Sequence, residues 1–325
     1  MRLNYYDFLR GIAILMVVAI HTGPIYHFDT IQGMAAVMMR QPLNSAVPIF
    51  FAISGYFLTS KKLETKSDVF AFWRHQIPKV YVPVLIWSIP YLLLYLYGGK
   101  ELLKGLALYF ICGYSVYYFI IVIVQCYLLS PLLIKAKSGG VKISILISML
   151  SITLVTYIMQ VRGVSLPLVV YAGHCDLWLM FFMMGIMIRR SGVRYSLRML
   201  VLLAFLSLVW QFAESSYLCS FNGGGFGIKP SSFVFSTVIV LILFHPSIVN
   251  NYKEVSLGVI WVRKLGRISF GVYLIHCFFI QIFSYVGLKG LPWGLTWILV
   301  VSASAGTVLI CRKTFPLSLN RYLGF

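Results

Sequence analysis

Long apolar runs broken by short polar clusters fill the chain from end to end. Ten of these runs approach the roughly 20 residues an α-helix needs to cross a hydrocarbon core of about 30 Å. They lie near 8–26, 43–60, 79–97, 115–134, 142–160, 170–189, 197–217, 232–249, 267–287 and 294–312. The piece 102–113 is apolar but short, as a re-entrant or interfacial segment would be. The pattern predicts an all-α polytopic membrane protein of about ten transmembrane helices, with residues 1–325 forming a single transmembrane domain. No convincing internal repeat is visible, which weighs against a transporter built from repeats.

Composition supports this reading. The chain is 60% hydrophobic and only 11% charged, whereas a soluble chain of 325 residues needs a large polar exterior. The net charge of +19 raises the question of nucleic acid. The basic residues, however, sit in short clusters between apolar runs and form no interleaved basic and aromatic surface. With the N-terminus placed inside, 21 of the 27 lysines and arginines fall in inside segments and six outside: Arg40, Lys100, Lys104, Arg162, Lys229 and Lys289. That bias predicts both termini in the cytoplasm of a bacterial inner membrane, with the positive charge drawn to anionic headgroups or to an anionic ligand. The basic start and apolar run at Phe8–Ile25 lack a small-x-small cleavage site, so the run reads as an uncleaved first helix. The six cysteines show no metal-like spacing, and no metal is expected. Cys175 and Cys219 both fall near the predicted outer face, where a disulfide is conceivable.

Ionisable groups at membrane depth are costly and point to function. Arg10 and His21 are eleven residues apart on the first run, about three turns and roughly 16 Å, so they share one face. Arg10 reads as a snorkelling anchor or a ligand-binding cation, and His21 as a packed histidine or a reactive imidazole. His276 lies near the middle of the ninth run and reads as an interhelical hydrogen-bonding group or a substrate contact. Asp176 opens the sixth run and Glu214 closes the seventh. Each reads as a solvated rim charge, or as a group that orients an imidazole or binds a hydroxylated acceptor. Arg74, His75 and Lys79 cluster before the third run, where they serve topology or hold phosphates. Ser54-Gly55 interrupts the second run, and small residues there permit close helix approach. Asn222-Gly223-Gly224-Gly225 lies in the longest outside loop, as a flexible connector or a cover over a site.

Three of these segments resemble motifs of the membrane acyltransferase 3 family. They are Arg10-Gly11-Ile12-Ala13 leading to His21-Thr22, Val47-Pro48-Ile49-Phe50-Phe51-Ala52-Ile53-Ser54-Gly55-Tyr56, and Gly266-Arg267-Ile268-Ser269-Phe270-Gly271-Val272-Tyr273-Leu274-Ile275-His276. They occur in the family's order and spacing and cover essentially the whole chain. The resemblance is to stand-alone members, without a fused hydrolase-like domain, that include O-acetyltransferases of surface polysaccharides. It implies transfer of an acetyl group from cytoplasmic acetyl-CoA to a hydroxyl of a surface glycan or lipid-linked sugar (O-antigen, capsule, exopolysaccharide or similar) on the outer side. It implies no metal, no nucleic acid, and a homo-oligomer as one possible state. His21 matches the family's essential histidine, Arg10 its paired arginine, and Arg74 the first of a basic pair whose second member is displaced to Lys79. Where many relatives carry His-Leu-Trp-Phe in the fourth helix, this chain has Val116-Tyr117-Tyr118-Phe119, so the histidine is absent and the aromatic character remains.

The expected roles follow. His21 is catalytic, with Asp176 and Glu214 as its helpers or as sugar ligands. Arg10, Arg74 and Lys79 hold CoA phosphates, and Ser54, Tyr118 and His276 contact substrate. The competing reading is a transporter or flippase of an acyl donor or glycan precursor; it accounts for the buried polar residues but not for three ordered motifs.

Overall fold

The computed structural model describes residues 2–23, 30–222 and 227–325. Among them there is helix and turn but no strand. The helices are α1 (Arg2–Thr22), α2 (Ile31–Arg40), α3 (Ala46–Leu58), α4 (Lys66–Tyr97), α5 (Leu102–Phe110) and α6 (Tyr118–Leu128). There follow α7 (Ser130–Lys135), α8 (Ser138–Thr156), α9 (Leu168–Ala172), α10 (Cys175–Ser191), α11 (Leu197–Asn222) and α12 (Pro230–Leu243). The last are α13 (Pro246–Val249), α14 (Leu257–Arg267), α15 (Ser269–Tyr285), α16 (Trp293–Thr314) and α17 (Leu317–Leu323). A 3-10 turn, Gln41–Ser45, joins α2 to α3, and a π turn, Tyr157–Val161, extends α8.

Each of the ten apolar runs falls on helix, but not each on a helix of spanning length. Five described helices combine the length and hydropathy to cross a membrane: α1, α4, α8 with its π turn, α11 and α16. The consecutive pair α14 and α15 makes a sixth if counted as one. By that measure the described residues hold five or six crossings where hydropathy predicts ten. The shortfall has local causes. The 3-10 turn containing Pro42 takes the start of the second run and leaves α3 with 13 residues. The fourth run is divided at Leu129, before Ser130-Pro131. α8 and α11 show why lipid is the solvent. Ile143, Leu146, Leu150 and Leu154 on one, and Val201, Leu202, Phe205 and Val209 on the other, are exposed. A water-facing helix would carry polar residues there.

Two compact units divide the chain: Met1–Lys61 with Ile134–Leu166 and Asp176–Arg267, and Lys62–Leu133 with Pro167–Cys175 and Ile268–Phe325. In the first, two helix pairs meet backbone to backbone. A Cβ on Gly11 of α1 would lie 1.9 Å from the Val262 carbonyl oxygen of α14, and one on Gly266 would lie 1.7 Å from that of Asp7. Likewise a Cβ on Gly55 of α3 would lie 1.9 Å from the Phe182 carbonyl oxygen, and one on Gly185 of α10 would lie 2.0 Å from that of Ala52. Small residues bring helices together where no hydrophobic drive exists between them. Beside the second crossing Phe51, Trp178 and Phe233 pack ring on ring, at 5.5 and 5.4 Å between centroids. α3 is continuous through Ser54-Gly55, so that pair marks a helix contact and not an interruption.

The second unit is built on α4. Thr65 and Asp68 cap it reciprocally, the Thr65 hydroxyl accepting from the Asp68 amide at 3.1 Å and the Asp68 carboxylate from the Thr65 amide at 3.0 Å. The cap starts the helix at Lys66 rather than near residue 79, and its 32 residues reach roughly 48 Å, longer than a hydrocarbon core. Trp87 Nε1 donates to the Leu323 carbonyl at 3.0 Å, and Trp73 Nε1 to that of Tyr127 at 2.8 Å, tying α17 and α6 to α4.

Candidate active site

α1 carries the first group of candidate residues. Arg10 Nη1 meets Asp7 Oδ1 at 2.9 Å, and its guanidinium lies 5.3 Å from the Phe57 ring centre. Asp7 is shared: Arg267 Nε reaches its other oxygen at 3.2 Å. Arg267 also donates to Asn4 Oδ1, and Asn4 Nδ2 to Glu254, which in turn meets Arg263 at 3.1 Å. One ladder of alternating charges thus runs along the α1–α14 crossing. Arg10 keeps about a third of its side chain exposed (34%), enough to reach a ligand without leaving Asp7. His21 stands in the last turn of α1 and is exposed.

Two cavities adjoin around Gly192 in the same unit. The first, 390 Å³, is lined by Tyr6, Tyr56, Phe244, Tyr252 and Asn250 among others. Arg189 flanks it, donating to the Tyr56 hydroxyl at 3.2 Å with its guanidinium 5.1 Å from that ring. Tyr6 also packs on Phe57, the ring beneath Arg10, at 5.2 Å. The second cavity, 450 Å³, is basic at its rim, with Lys137, Arg190 and Arg194. Arg190 donates to the Ala136 carbonyl at 2.7 Å and to that of Ile134, and so closes the end of α7. Gly192 lines both cavities at φ +69°, a conformation L side chains rarely adopt. Both volumes lie in the range of small-molecule sites.

The second group of polar residues is buried. Lys229, counted in the sequence among loop charges, caps α12 and is 1% exposed. Its Nζ donates to Gln41 Oε1 at 2.7 Å, and Ser232 holds its backbone amide at 2.9 Å. Arg40 is also buried, donating to Asn44 Oδ1 at 2.5 Å, and Asn44 Nδ2 donates to Gln211 Oε1 at 3.0 Å. Glu214 accepts from the Ser231 amide at 2.9 Å, at the positive end of α12. It lies eight residues inside α11, which continues to Asn222, and does not close that helix. Burial pushes the Lys229 ammonium down to about 7, with Glu214 raising it and Arg40 lowering it. The turn that carries Gln41 and Asn44 packs against α1 as well as α11 and α12.

The remaining predicted residues divide. Asp176 serves α8, accepting from Ser151 Oγ at 2.5 Å, while its carbonyl accepts from Ser148 at 2.6 Å. Ser54 Oγ turns back to the Phe50 carbonyl at 2.8 Å. In the second unit, Arg74, His75 and Lys79 lie inside α4 and not before it. Lys79 Nζ is 2.7 Å from His75 Nε2, one turn away. Arg74 is exposed and five residues from Lys79, so the two project about 140° apart around the helix. Tyr118 is half-buried at the start of α6. Its neighbour Tyr117 is fully buried and donates to the Leu274 carbonyl at 2.7 Å. His276 is fully buried, with Nδ1 2.7 Å from the Tyr273 carbonyl of its own helix. Among the described residues Cys175 and Cys219 form no disulfide with each other. Gly223, Gly224 and Gly225 lie outside the described residues. The cavities and the Lys229 cluster escaped the sequence reading, although Arg40-Gln41 and Asn44 ahead of an apolar run were visible as a polar triplet.

With three motif segments embedded in helices, the whole-chain comparison decides the family. A family model described as an acyltransferase domain, that of acyltransferase 3, matches residues 3–312. The chain belongs to the membrane acyltransferase 3 family. That family is one of membrane acyltransferases. A similar stretch occurs in an amino-acid racemase of Enterococcus faecalis, 42% identical over 55 residues, which is 17% of this chain and 8% of that protein. The acyltransferase 3 chain thus spans only a small part of that curated relative. No solved structure matches it.

Proposed function

We propose that this acyltransferase 3 protein moves an acetyl group from acetyl-CoA, bound at the cytoplasmic side, to a hydroxyl of a surface glycan on the outer side of a bacterial inner membrane. The observation that carries the reading is the pair of cavities joined at Gly192, one aromatic and one basic, in the unit that holds Arg10. Tyrosine faces beside Arg189 suit a purine ring, and the Lys137, Arg190 and Arg194 rim suits phosphates. Arg10 stands one turn from Tyr6 of the aromatic cavity and completes the donor end. Arg74 and Lys79, which project from different sides of α4, are phosphate-binding cations of the second unit taken by itself, each acting separately. Charge placement supports the sidedness, since these cations fall in segments that the positive-inside rule puts in the cytoplasm.

Roughly 16 Å along α1 from Arg10 lies His21. Its imidazole takes the proton of the acceptor hydroxyl as the oxygen attacks the thioester carbonyl. The carbon–sulfur bond breaks, the CoA sulfur leaves with the electron pair, and the proton returns to it. The products are an O-acetyl sugar and free CoA. Purified protein in nanodiscs, given acetyl-CoA and a glycan acceptor, tests this reading. Acetylated glycan by mass spectrometry, lost in His21→Ala, is the expected result. A protein that transports the donor or the glycan without acetylating it overturns the reading in favour of a transporter.

A further inference from the structure

We propose that the Lys229 cluster is a binding site for an anionic sugar, one bearing a carboxylate or phosphate group. The cluster draws on three elements. Lys229 and Ser231 come from the first turn of α12, Gln211 and Glu214 from adjacent positions on one face of α11, and Gln41 from the 3-10 turn.

Among the described residues, its hydrogen bonds are lopsided. Lys229 is fully buried yet donates once, to a neutral amide oxygen, and an ammonium has three donors. Glu214 acts on it electrostatically but forms no ion pair with it. Gln211 is 0% exposed; its oxygen is engaged by Asn44 and its Nε2 has no partner. The Ser231 hydroxyl, also 0% exposed, has none either. Such orphaned groups keep the full cost of leaving water, and a charged one more than a neutral one. A fold that needed only stability would place an apolar side chain at 229.

The spare groups are donors of hydrogen bonds, and among the described residues the cluster holds two cations, Lys229 and Arg40, against one carboxylate, Glu214. An oxyanion meets that demand. Glu214 is half-buried and opens the cluster toward the surface, and its free carboxylate oxygen suits a sugar hydroxyl. The same 3-10 turn packs on α1, whose last turn bears His21. If acyl transfer is the activity, this sugar is the acceptor; that clause alone rests on the proposed function.

Binding is measured by titration calorimetry on the purified full chain in nanodiscs, with methyl glucuronide, glucose 1-phosphate and the neutral methyl glucoside as probes. At least one anionic probe is expected to bind tenfold or more tightly than the glucoside, and which one separates carboxylate from phosphate. Lys229→Met should erase that preference while the Tm stays equal or rises, and Lys229→Arg should keep part of it. Gln211→Leu, which leaves the lysine in place, should weaken the anionic probe three- to tenfold. Equal affinity for charged and neutral probes, or a preference that survives Lys229→Met, overturns the proposal. Acetyl transfer is followed separately. Selective binding without any transfer overturns the proposed function and not this site. Transfer to an acidic glycan with an unchanged acceptor KM in Lys229→Met overturns this site and not the function.

Discussion

Two sets of charges in one unit are treated in opposite ways. Along the α1–α14 crossing every carboxylate is matched: Asp7 by Arg10 and Arg267, Glu254 by Arg263. These groups keep some exposure, and such pairs contribute little either way. At the start of α12, Lys229 is enclosed with one neutral acceptor, and the nearest carboxylate caps a helix instead. The first arrangement is what topology and solvation produce without further demand. The second opposes folding and has to be kept for another reason. Paired charges at a rim therefore say where the membrane ends; a poorly paired charge inside says where a ligand belongs.

The strongest test of that contrast concerns His21, in the last turn of the helix that carries the ladder. His21→Ala should lower acetyl transfer by about 10²–10⁴-fold while the protein still reaches the membrane, read by glycan mass spectrometry and membrane yield. Next in size is the crossing that supports the paired ladder. Gly266→Ala puts a Cβ 1.7 Å from the Asp7 carbonyl oxygen and should destabilise by about 2–4 kcal/mol, seen as a lower Tm in detergent. Lys229 gives a pH signature that the ladder lacks. Its pKa falls from 10.5 to about 7 on folding, so between those values the unfolded chain binds more protons. Stability should then rise with pH across that window, by up to about 1.4 kcal/mol per unit, and Lys229→Met should remove the slope. Arg10→Lys should keep the Asp7 pair but lose the planar stack on Phe57, raising the KM for acetyl-CoA about tenfold with little change in Tm. The smallest effect is expected for Glu254→Gln, under about 1 kcal/mol; a larger loss would mean the ladder is not the inexpensive arrangement described.

Helix positions were legible because apolar periodicity is local. The register of Arg10 and His21 was legible for the same reason: helical spacing alone sets it. The start of α4 was missed because Lys66, Asp68, Arg74, His75 and Gln76 break up the apolar residues of its first three turns, and the Thr65–Asp68 cap, not hydropathy, begins the helix. The role of Ser54-Gly55 was half visible. Close approach was foreseen, but the partners Phe182 and Gly185 arrive from more than a hundred residues away. Lys229 was read as a loop charge because a lysine beside glycines and a proline looks the same whether water or protein surrounds it. Only the tertiary arrangement of Gln41, Gln211 and Glu214 around it tells the two apart.

The glycine crossing on α1 makes that helix a ruler. Gly11 sits one residue from Arg10 and touches the α14 backbone, so the Arg10 end can neither slide nor turn. The distance to His21 is then fixed by residue count. Inserting one alanine between Gly11 and His21 would lift the imidazole by about 1.5 Å and rotate it by roughly 100°, with every contact at the donor end intact. A donor arm cut to half length would fail against the native spacing, however well its nucleotide end were held.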